Sequence, residues 1–475
     1  MVFSSVTFLL FFLPCLLAVY FIVPSRFRKA RNYILLAFSL VFYAFGGVKF
    51  TALLLLSIAI NYISGLLAAE GNGQRVRKAG VALAVILGLA LLGWFKYAGF
   101  FAEIINQVGV PIPVPHITLP IGISFFTFQG LSYVIDVYRG DADCQRNPLY
   151  LALYIALFPQ LVAGPIVRYT TVEHEITERR ENIEDFSAGT VRFMIGFAKK
   201  MVLANPMGEI ADAVFGQNTP DLTTGAAWIA AIAYTFQIYF DFSSYSDMAI
   251  GLGRMFGFHF LENFNYPYIA DSITDFWRRW HISLSTWFRD YVYFPLGGSY
   301  CSRAKNIRNL SIVWILTGMW HGAAWNFIFW GLWYLFFLLM EKFVWTSPLQ
   351  RSPAAFKHIY TMLIVIAGWV FFRSPTLGYA GKMLLSMIGF GSGAGGGEAV
   401  YYLLEYWPEW IMCLIAIFPV KVLIENALKK CISTGSAAAN QLMLWGPKIY
   451  ALCVFAVSYL KLVTGSFNPF IYFQF

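Results

Sequence analysis

Long apolar runs that are nearly free of charged side chains recur along this 475-residue chain and constrain its fold more than any other feature. A run of about 20 apolar residues is long enough to cross the hydrocarbon core of a bilayer as one helix. Because backbone polar groups must be paired inside a bilayer, such runs predict helices. We therefore expect an all-α polytopic membrane protein, with runs at about 6–24, 32–48, 50–69, 79–95, 147–167, 222–240, 357–372, 410–424 and 445–463.

The composition supports this prediction. Hydrophobic residues make up 59% of the chain and charged residues 12%, whereas soluble domains carry about 25% charged residues. The net charge of +9 sits in short clusters between apolar runs, which favours cytoplasmic loops and contacts with membrane lipids over a nucleic-acid partner. The six cysteines are scattered without a C-x-x-C pair, so we expect neither a disulfide framework nor a metal site.

Two longer runs complicate the count of spans. Prolines interrupt the run 104–135, which predicts an outside loop and then a helix from about residue 118. The run from Leu310 to Met340 contains no Asp, Glu, Lys or Arg. At about 1.5 Å per residue it would extend roughly 46 Å, more than the ~30 Å hydrocarbon core. We expect about 10 to 12 spans together with interfacial or re-entrant helices.

The basic loops predict the orientation of the chain. Arg26 to Arg31 follow the first run and the sequence RVRK at 75–78 follows the third, so both loops are expected in the cytoplasm and the N-terminus outside. The basic loop 168–200 should also be cytoplasmic. Simple alternation permits this only if one of the segments 118–138 and 147–167 does not cross fully, and the sequence leaves open which one.

Two stretches are too polar to cross a bilayer. Residues 173–186 predict a solvated loop that leads into an amphipathic helix. Residues 263–300 mix arginines with many Trp and Phe side chains, which is typical of helices that lie in the membrane interface. No internal repeat is visible, which counts against a secondary transporter.

His321 is the one ionisable side chain inside the run 310–340. Ionisable groups in membrane segments are costly and usually functional. Gly318 and Gly322 bracket His321, so we expect a helix break there that faces protein or water. Burial disfavours the imidazolium, and a neutral imidazole can act as a general base toward an alcohol that attacks an acyl group. The structural alternative is a neutral histidine hydrogen-bonded inside a bundle.

His281 lies in the sequence FWRRWHISLS, close to Asp275, Arg278 and Arg279. Arginines beside an interfacial aromatic platform can hold phosphates, and contacts with lipid headgroups are the alternative. Asp241 and Asp247 lie near the end of an apolar run, where they either make structural contacts or shape a tunnel. No G-x-S-x-G motif is present, so a serine-elbow hydrolase is unsupported.

Long phrases of this sequence resemble the membrane-bound O-acyltransferase (MBOAT) family. The resemblance covers almost the whole chain. Within the family, the sequence is similar to the bacterial branch that O-acetylates alginate and peptidoglycan. The phrases that carry it are FWRRWHISLSTWFRDYVYFPLGG (276–298), LTGMWHGAAWNFIFWGLWYL (316–335), FPQLVAGPIVRY (158–169), YFDFSSYSDMAIGLGRMFGF (239–258), NFNYPY (263–268) and FIYFQF (470–475).

The resemblance implies a multi-helix bundle around a central funnel or tunnel. It implies a single domain over residues 1–475, with N-terminal spans at 1–110, a catalytic core with interfacial helices at 117–345 and C-terminal spans at 355–475. The two family histidines fall on His321, as catalytic base, and on His281, which would position the donor or relay a proton. Further candidates for donor binding or for lining the tunnel are Arg278, Arg279, Trp280, Trp320, Asn326, Asp241 and Asp247.

The resemblance also implies an activity. The protein would be a multi-pass O-acetyltransferase of the cell (inner or plasma) membrane without a permanently bound cofactor. It would take an acetyl group from cytoplasmic acetyl-CoA and pass it across the membrane for O-acetylation of alginate, peptidoglycan or another extracytoplasmic polysaccharide. A separate extracytoplasmic SGNH-type acetyltransferase would be its partner.

Three alternatives remain at this point. The first is a D-alanyl transfer protein of teichoic acid modification, which uses a carrier-protein thioester. The motifs PLGG, after RDYVYF, and GMWHGAAWNFIFWG favour acetylation over D-alanyl transfer. A transporter and a non-catalytic scaffold are the other two.

Overall fold

The computed structural model of this protein describes residues 1–216, 222–391, 397–465 and 467–471. Within these ranges the chain forms helices and no β-strand, which confirms the predicted all-α class. Two compact units are present, one comprising Met1–Phe193 and Tyr245–Leu261 and the other Met194–Ser244 and Glu262–Phe475. The last four residues of the C-terminal phrase FIYFQF lie outside the described residues. The expected single domain stays a prediction.

The first unit contains a series of helices of very different lengths. A π-helical turn begins α1 at Phe8–Phe12, and another lies within α4 at Gly93–Tyr97. The first of its two segments, Met1–Phe193, ends within α9. Its helices are α1 (Phe8–Ile22), α2 (Arg28–Ala44), α3 (Val48–Ala68), α4 (Gln74–Gln107), α5 (Ile123–Arg139), α6 (Pro148–Ala156), α7 (Phe158–Leu161), α8 (Tyr169–Glu178) and α9 (Ile183–Ala198).

The second unit holds both candidate histidines. Irregular helical turns at Lys199–Ala204, Pro267–Ile269 and Arg289–Tyr293 connect some of its helices. These helices are α10 (Asn205–Phe215), α11 (Thr224–Met255, which ends in the first unit), α12 (Ile273–Arg279), α13 (Ile282–Phe288), α14 (Arg303–His321), α15 (Trp325–Phe343), α16 (Thr346–Arg351), α17 (Ala354–Arg373), α18 (Leu377–Phe390), α19 (Gly397–Glu405), α20 (Trp407–Ala416), α21 (Val420–Ser433) and α22 (Ala437–Thr464).

Several helices are long and apolar enough to cross a membrane. By length and composition, α3, α4, α17 and α22 qualify among the described residues, and the bent pair α20 and α21 would make five. This is fewer than the 10 to 12 expected from the apolar runs. The difference arises because several runs fold into shorter helices, such as the 15-residue α1, or into helices that begin with charged residues, such as α2. The protein is a multi-pass membrane protein.

The run 147–167 does not form one helix. It divides into α6 and α7, of nine and four residues, and Leu157 between them has an extended ψ of 114°. Nine residues rise only about 14 Å, which is too short for a hydrocarbon core of about 30 Å. Of the two segments whose full crossing was in question, this one is interrupted, whereas α5 continues unbroken over 17 residues.

The polar stretch 173–186 is less solvated than expected. The side chain of Glu181 is only 7% exposed and forms ion pairs with Arg28, Arg31 at 3.2 Å and Arg179 at 3.5 Å. The hydroxyl of Tyr20 also donates a hydrogen bond to Glu181, at 2.6 Å. Glu181 therefore ties α1 and α2 to the loop between α8 and α9. The predicted amphipathic helix after it is α9.

The apolar run 310–340 folds as a helical hairpin of α14 and α15. His321 is the last residue of α14, and α15 begins four residues later at Trp325. The predicted helix break at His321 is thus confirmed as a reversal of direction. Two glycines let the helices approach closely: a Cβ at Gly318 would lie 2.4 Å from the Phe327 carbonyl oxygen, and one at Gly331 would lie 2.4 Å from that of Trp314.

Residues 263–300 form short helices, as predicted, and none of them qualifies as a span. One face of this region packs into the hydrophobic core of the second unit. Large aromatic side chains dominate that core, and its most deeply buried members include Tyr268, Phe276, Trp330, Tyr334 and Trp369. The short helices are therefore held by packing against α11, α15 and α17.

Candidate active site

His281 occupies a strained position between α12 and α13. Its φ and ψ are 44° and 54°, a left-handed conformation that costs a non-glycine residue roughly 1–2 kcal/mol. Apart from Tyr266, no other non-glycine residue in the described chain has a positive φ. Strain of this kind persists where surrounding contacts impose it, and it clusters at functional sites.

The contact that holds His281 comes from Asn263, a buried residue of the preceding loop. Asn263 Oδ1 lies 3.2 Å from His281 Nδ1 and accepts hydrogen bonds from the backbone N–H of Ser283 at 3.1 Å and from its hydroxyl at 2.9 Å. The Asn263 carbonyl also accepts the N–H of Ile282 at 2.9 Å. Asn263 therefore caps the N-terminus of α13, because His281 at the N-cap position makes no side-chain cap of its own.

The imidazole of His281 is buried, with 1% of the residue exposed. Its neighbours are aromatic: the ring of Phe242 packs edge-on with centroids 4.6 Å apart, and the ring of Trp320 lies 5.8 Å away. His281 lies outside the candidate spans, and burial lowers its pKa from 6.5 to about 3. The imidazole is therefore neutral at physiological pH, and its Nε2 has no hydrogen-bond partner among the described residues.

His321 is also buried, at the tip of the α14–α15 hairpin. Its ring packs edge-on against Trp320, Trp330 and Phe372, with centroids 5.0, 5.0 and 5.1 Å away. Phe372 lies near the end of α17. Three helices therefore contribute to an aromatic surround for this histidine, which faces protein rather than lipid.

Trp320 links the two histidines, since its ring contacts both His281 and His321. Trp280 lies in the same aromatic layer, with its ring 4.8 Å from that of Trp369 and 5.6 Å from that of Phe276. The structure thus brings together four of the residues selected from the sequence, His281, His321, Trp280 and Trp320, in one buried region.

The short helix α12 leads directly to His281 and is anchored at its N-terminus. Glu341, near the end of α15, accepts hydrogen bonds from the backbone N–H groups of Ile273 at 2.7 Å and Thr274 at 2.9 Å. A carboxylate is favourable there because it pairs otherwise unsatisfied N–H groups at the positive end of the helix. Ser272 adds a side-chain cap to the N–H of Asp275 at 3.1 Å.

A cavity of about 690 Å³ opens beside α12. Polar and charged side chains line much of it, and the set contains more cations than anions. Its charged members are Asp271, Arg278, Glu341, Lys342 and Lys357. Lys357 pairs with Asp271 at 3.1 Å, and Glu341 is occupied by the α12 amides, so Arg278 and Lys342 supply the uncompensated positive charge.

The two adjacent arginines differ in their surroundings. Arg279 pairs with Asp275 at 2.8 Å and donates to the Asn265 carbonyl at 3.3 Å. Arg278 is exposed and lines the cavity, and it makes no ion pair or side-chain hydrogen bond with the described part of the chain. Of the two, Arg278 is the one placed to meet an anionic ligand.

Asn326 lies one residue after the start of α15. Its amide donates hydrogen bonds to the carbonyl of Ser374 at 3.0 Å and to that of Phe371 at 3.5 Å. These bonds connect the hairpin to the end of α17, which carries Phe372 against His321. Asn326 therefore positions the surround of His321 in this structure.

Asp241 and Asp247 lie on α11 and make separate ion pairs. Asp241 pairs with Lys200 at 2.6 Å, both side chains being at most 3% exposed, and accepts the N–H of Ile471 at 2.8 Å. Asp247, in the first unit, pairs with Arg192 at 2.8 Å. These contacts are structural, and those of Asp241 hold the C-terminal segment in the second unit.

Two residues of this site were not selected from the sequence. Asn263 lies in the motif NFNYPY, which contributes to the family resemblance. Glu341 is the first charged residue after the charge-free run 310–340. An Asn before an aromatic loop and a Glu at the end of an apolar helix were the available signals. Neither reveals its partner, because those partners are 18 and 67 or 68 residues away in sequence.

Comparison with known proteins relates this site to others. The profile of the membrane-bound O-acyltransferase family matches residues 145–374, which include both histidines. The probable alginate O-acetylase AlgI of Azotobacter vinelandii is 40% identical, with all of both chains covered. The peptidoglycan O-acetyltransferase of Helicobacter pylori is 32% identical, over 100% of this chain and 98% of the relative. The teichoic acid D-alanyltransferase of Bacillus subtilis is 31% identical, over 49% of this chain and 62% of the relative.

Proposed function

Since this chain belongs to the membrane-bound O-acyltransferase family, we propose that it transfers an acetyl group from cytoplasmic acetyl-CoA across the membrane for O-acetylation of an extracytoplasmic polysaccharide. The protein is an O-acetyltransferase, and relatives that acetylate alginate and peptidoglycan match it over its full length. The observation that carries the proposal is the pair of buried histidines, His281 and His321, in contact with the same Trp320 ring.

The proposed chemistry assigns the general base to His321. An acceptor hydroxyl oxygen attacks the thioester carbonyl carbon, and the imidazole of His321 takes the hydroxyl proton. The new C–O bond forms, the C–S bond breaks, and the sulfur leaves with a proton as the CoA thiol. A neutral imidazole is required at the start, and the ring of His321 packs against the aromatic rings of Trp330 and Phe372.

His281 would orient the reacting groups. Its neutral ring would accept a hydrogen bond from a substrate at Nε2, which has no partner among the described residues, and its low pKa makes it a weak proton acceptor. A group of this kind holds an N–H or O–H group of the bound donor in place more readily than it removes a proton. The ring of Trp320 contacts both imidazoles.

The cavity beside α12 would receive the phosphates of the donor. Arg278 and Lys342 provide positive charge without a protein counter-ion, and guanidinium groups bind phosphate strongly. Because α12 ends two residues before His281, a donor anchored at Arg278 would point its thioester toward the histidines. Arg279, which is already paired, would stabilise the helix and leave the phosphates to Arg278.

Transfer of D-alanine from a carrier-protein thioester is the alternative donor chemistry. The D-alanyltransferase of B. subtilis matches about half of this chain, whereas the acetylating relatives match it throughout. This difference favours acetyl-CoA. The proposed location is the inner or plasma membrane with the N-terminus outside. A separate SGNH-type acetyltransferase would receive the acetyl group and complete the modification of alginate, peptidoglycan or another glycan.

A direct assay tests this function. The full chain, purified in detergent or nanodiscs, is given radiolabelled acetyl-CoA with and without a candidate SGNH-type acceptor, and the release of CoA and the labelled acceptor are measured. We expect both products from the wild-type protein and neither from His321→Ala. Transfer from a D-alanyl carrier protein in place of acetyl-CoA would favour the alternative, and undiminished acetyl transfer by His321→Ala would refute the role of this histidine.

A further inference from the structure

The loop residue Asn263 contacts the candidate site through His281 and Ser283. Its side-chain oxygen faces three hydrogen-bond donors: the N–H and the hydroxyl of Ser283, and Nδ1 of His281. The atom facing the Ser283 amide must be the oxygen of Asn263, because a backbone N–H donates and an amide NH₂ group also donates. This assignment determines whether Nδ1 of His281 carries a proton.

An acceptor oxygen at 3.2 Å requires a proton on the nitrogen that faces it. If Nδ1 of His281 carried a lone pair, that lone pair would face the lone pairs of Asn263. The stable neutral form therefore has its proton on Nδ1, and Nε2 carries the lone pair. Nε2 is buried and without a hydrogen-bond partner in the described chain, so the one basic atom of this ring is left for a ligand.

We propose that Asn263 is a positioning residue for acyl transfer: it holds His281 in the Nδ1–H tautomer, so that Nε2 presents a lone pair to an N–H or O–H group of the bound donor. This inference rests on the proposed function and deepens it. The same side chain caps α13 and stabilises the left-handed backbone of His281. Asn263 thus sets both the direction and the proton state of the ring.

Among the described residues, no charged group contacts the His281 side chain. The groups that contact His281 are Asn263, Ser283, Phe242 and Trp320. On the elements that carry these contacts, the nearby titratable groups have their own surroundings. Asp241 beside Phe242 pairs with Lys200, Arg279 before His281 pairs with Asp275, and His321 lies among aromatic rings. A charge introduced at position 263 would therefore dominate the titration of His281.

Three variants distinguish positioning from a merely structural role. Asn263→Leu has a similar shape but no acceptor, and we expect kcat to fall at least tenfold with KM for acetyl-CoA unchanged. Asn263→Asp keeps the acceptor and adds a negative charge beside Nδ1–H. We expect it to retain more activity than Asn263→Leu and to raise the pKa of His281, read from the pH dependence of its ¹⁵N signals, by about one to three units, because the carboxylate favours the imidazolium. Asn265→Leu, at an exposed position of the same loop, is the matched control, and we expect its activity and its His281 tautomer to match the wild type.

The tautomer is measured independently of activity. Nitrogen NMR of the full-length protein labelled with ¹⁵N-histidine, with the His281 signals identified by their loss in His281→Gln, distinguishes a protonated Nδ1 from a protonated Nε2. We expect protonated Nδ1 and bare Nε2 in the wild type, and loss of this preference in Asn263→Leu. A protonated Nε2 in the wild type, or an unchanged pKa of His281 in Asn263→Asp, would overturn the proposal. The proposed function fails if the tautomer is as expected but neither the wild type nor any variant transfers acetyl groups. In that case Asn263 still sets the tautomer of His281, but it has no role in acyl transfer.

Discussion

Glu341 and Thr274 are joined by two hydrogen bonds to one carboxylate oxygen: Oε2 accepts the backbone N–H of Thr274 at 2.9 Å and its hydroxyl at 2.6 Å. This contact fastens the helix that leads to His281 onto the second helix of the hairpin that carries His321. Since Glu341 is 7% exposed, its loss leaves buried donors without a partner. The position of His281 thus depends on α15, the helix that follows His321.

Replacing Glu341 by Ala is expected to lower the free energy of unfolding by about 2–3 kcal/mol, since charge-assisted hydrogen bonds to buried amides are lost. We also expect kcat to fall, because α12 no longer holds His281 in register. Thermal unfolding in detergent and the acetyl-transfer assay measure the two effects. Glu405→Ala, at an exposed position, serves as the control, and equal stability of the two variants would contradict the anchoring role.

Replacing His321 by Ala is expected to reduce acetyl transfer by about 100-fold or more, the usual contribution of a general base. The protein should still reach the membrane, because the close approach of α14 and α15 at Gly318 and Gly331 is kept. CoA release at saturating acetyl-CoA measures the effect. The exposed His174 provides the matched control, His174→Ala, and comparable activity of the two variants would rule out His321 as the base.

Replacing Arg278 by Ala is expected to raise KM for acetyl-CoA about tenfold with little change in kcat, because one charge-assisted contact to phosphate is worth about 1.5 kcal/mol or more. Initial rates over a range of acetyl-CoA concentrations give both constants. Lys429→Ala, which removes an exposed cation elsewhere, controls for net charge. A KM that stays at the wild-type value would exclude Arg278 from the donor site.

Replacing Asp241 by Asn is expected to destabilise the protein by about 3–5 kcal/mol, because the buried ammonium of Lys200 loses its counter-ion. Asp247→Asn on the same helix should cost less, since Arg192 and Asp247 are 27% and 16% exposed. Unfolding of both variants in the same detergent provides the comparison. A smaller loss for Asp241→Asn than for Asp247→Asn would contradict the structural role of Asp241.

Acid is expected to destabilise the fold through His281. Its pKa is depressed from 6.5 to about 3 by burial, so below pH 6.5 the unfolded chain binds a proton that the folded chain excludes. The stabilising contribution is complete above pH 6.5 and is lost progressively as the pH falls toward 3. Unfolding temperatures between about pH 7.5 and 5 should fall more steeply for the wild type than for His281→Gln. Parallel curves would show that His281 does not stay neutral in the fold.

How far the sequence predicts the site can be seen at His321 and His281. An imidazole in a run without other charges marked His321, and the excess length of that run predicted the helix break beside it. The sequence FWRRWHISLS marked His281 and its arginines. These signals are local, because they depend on the cost of placing a charge in lipid and on the length of a helix.

The number of spans and the roles of individual polar residues were less predictable. The run 147–167 is apolar throughout, yet it folds as two short helices with an extended residue between them. Arg278 and Arg279 look alike in sequence, yet only Arg279 has a carboxylate four residues earlier that pairs with it. Hydrophobicity predicts that a segment is buried. It does not predict whether the segment forms one straight helix or which residues contact it.

The sequence by itself determined the class of this protein: its apolar runs require helices in a bilayer, and its motifs identify an O-acyltransferase with two histidines. Only the tertiary structure decided that Trp320 contacts both rings, that Glu341 anchors α12, and that Asn263 meets His281. The physical reason is that the length of an apolar run depends only on consecutive residues. Hydrogen bonds between loops and helices far apart in the chain exist only after the helices have packed.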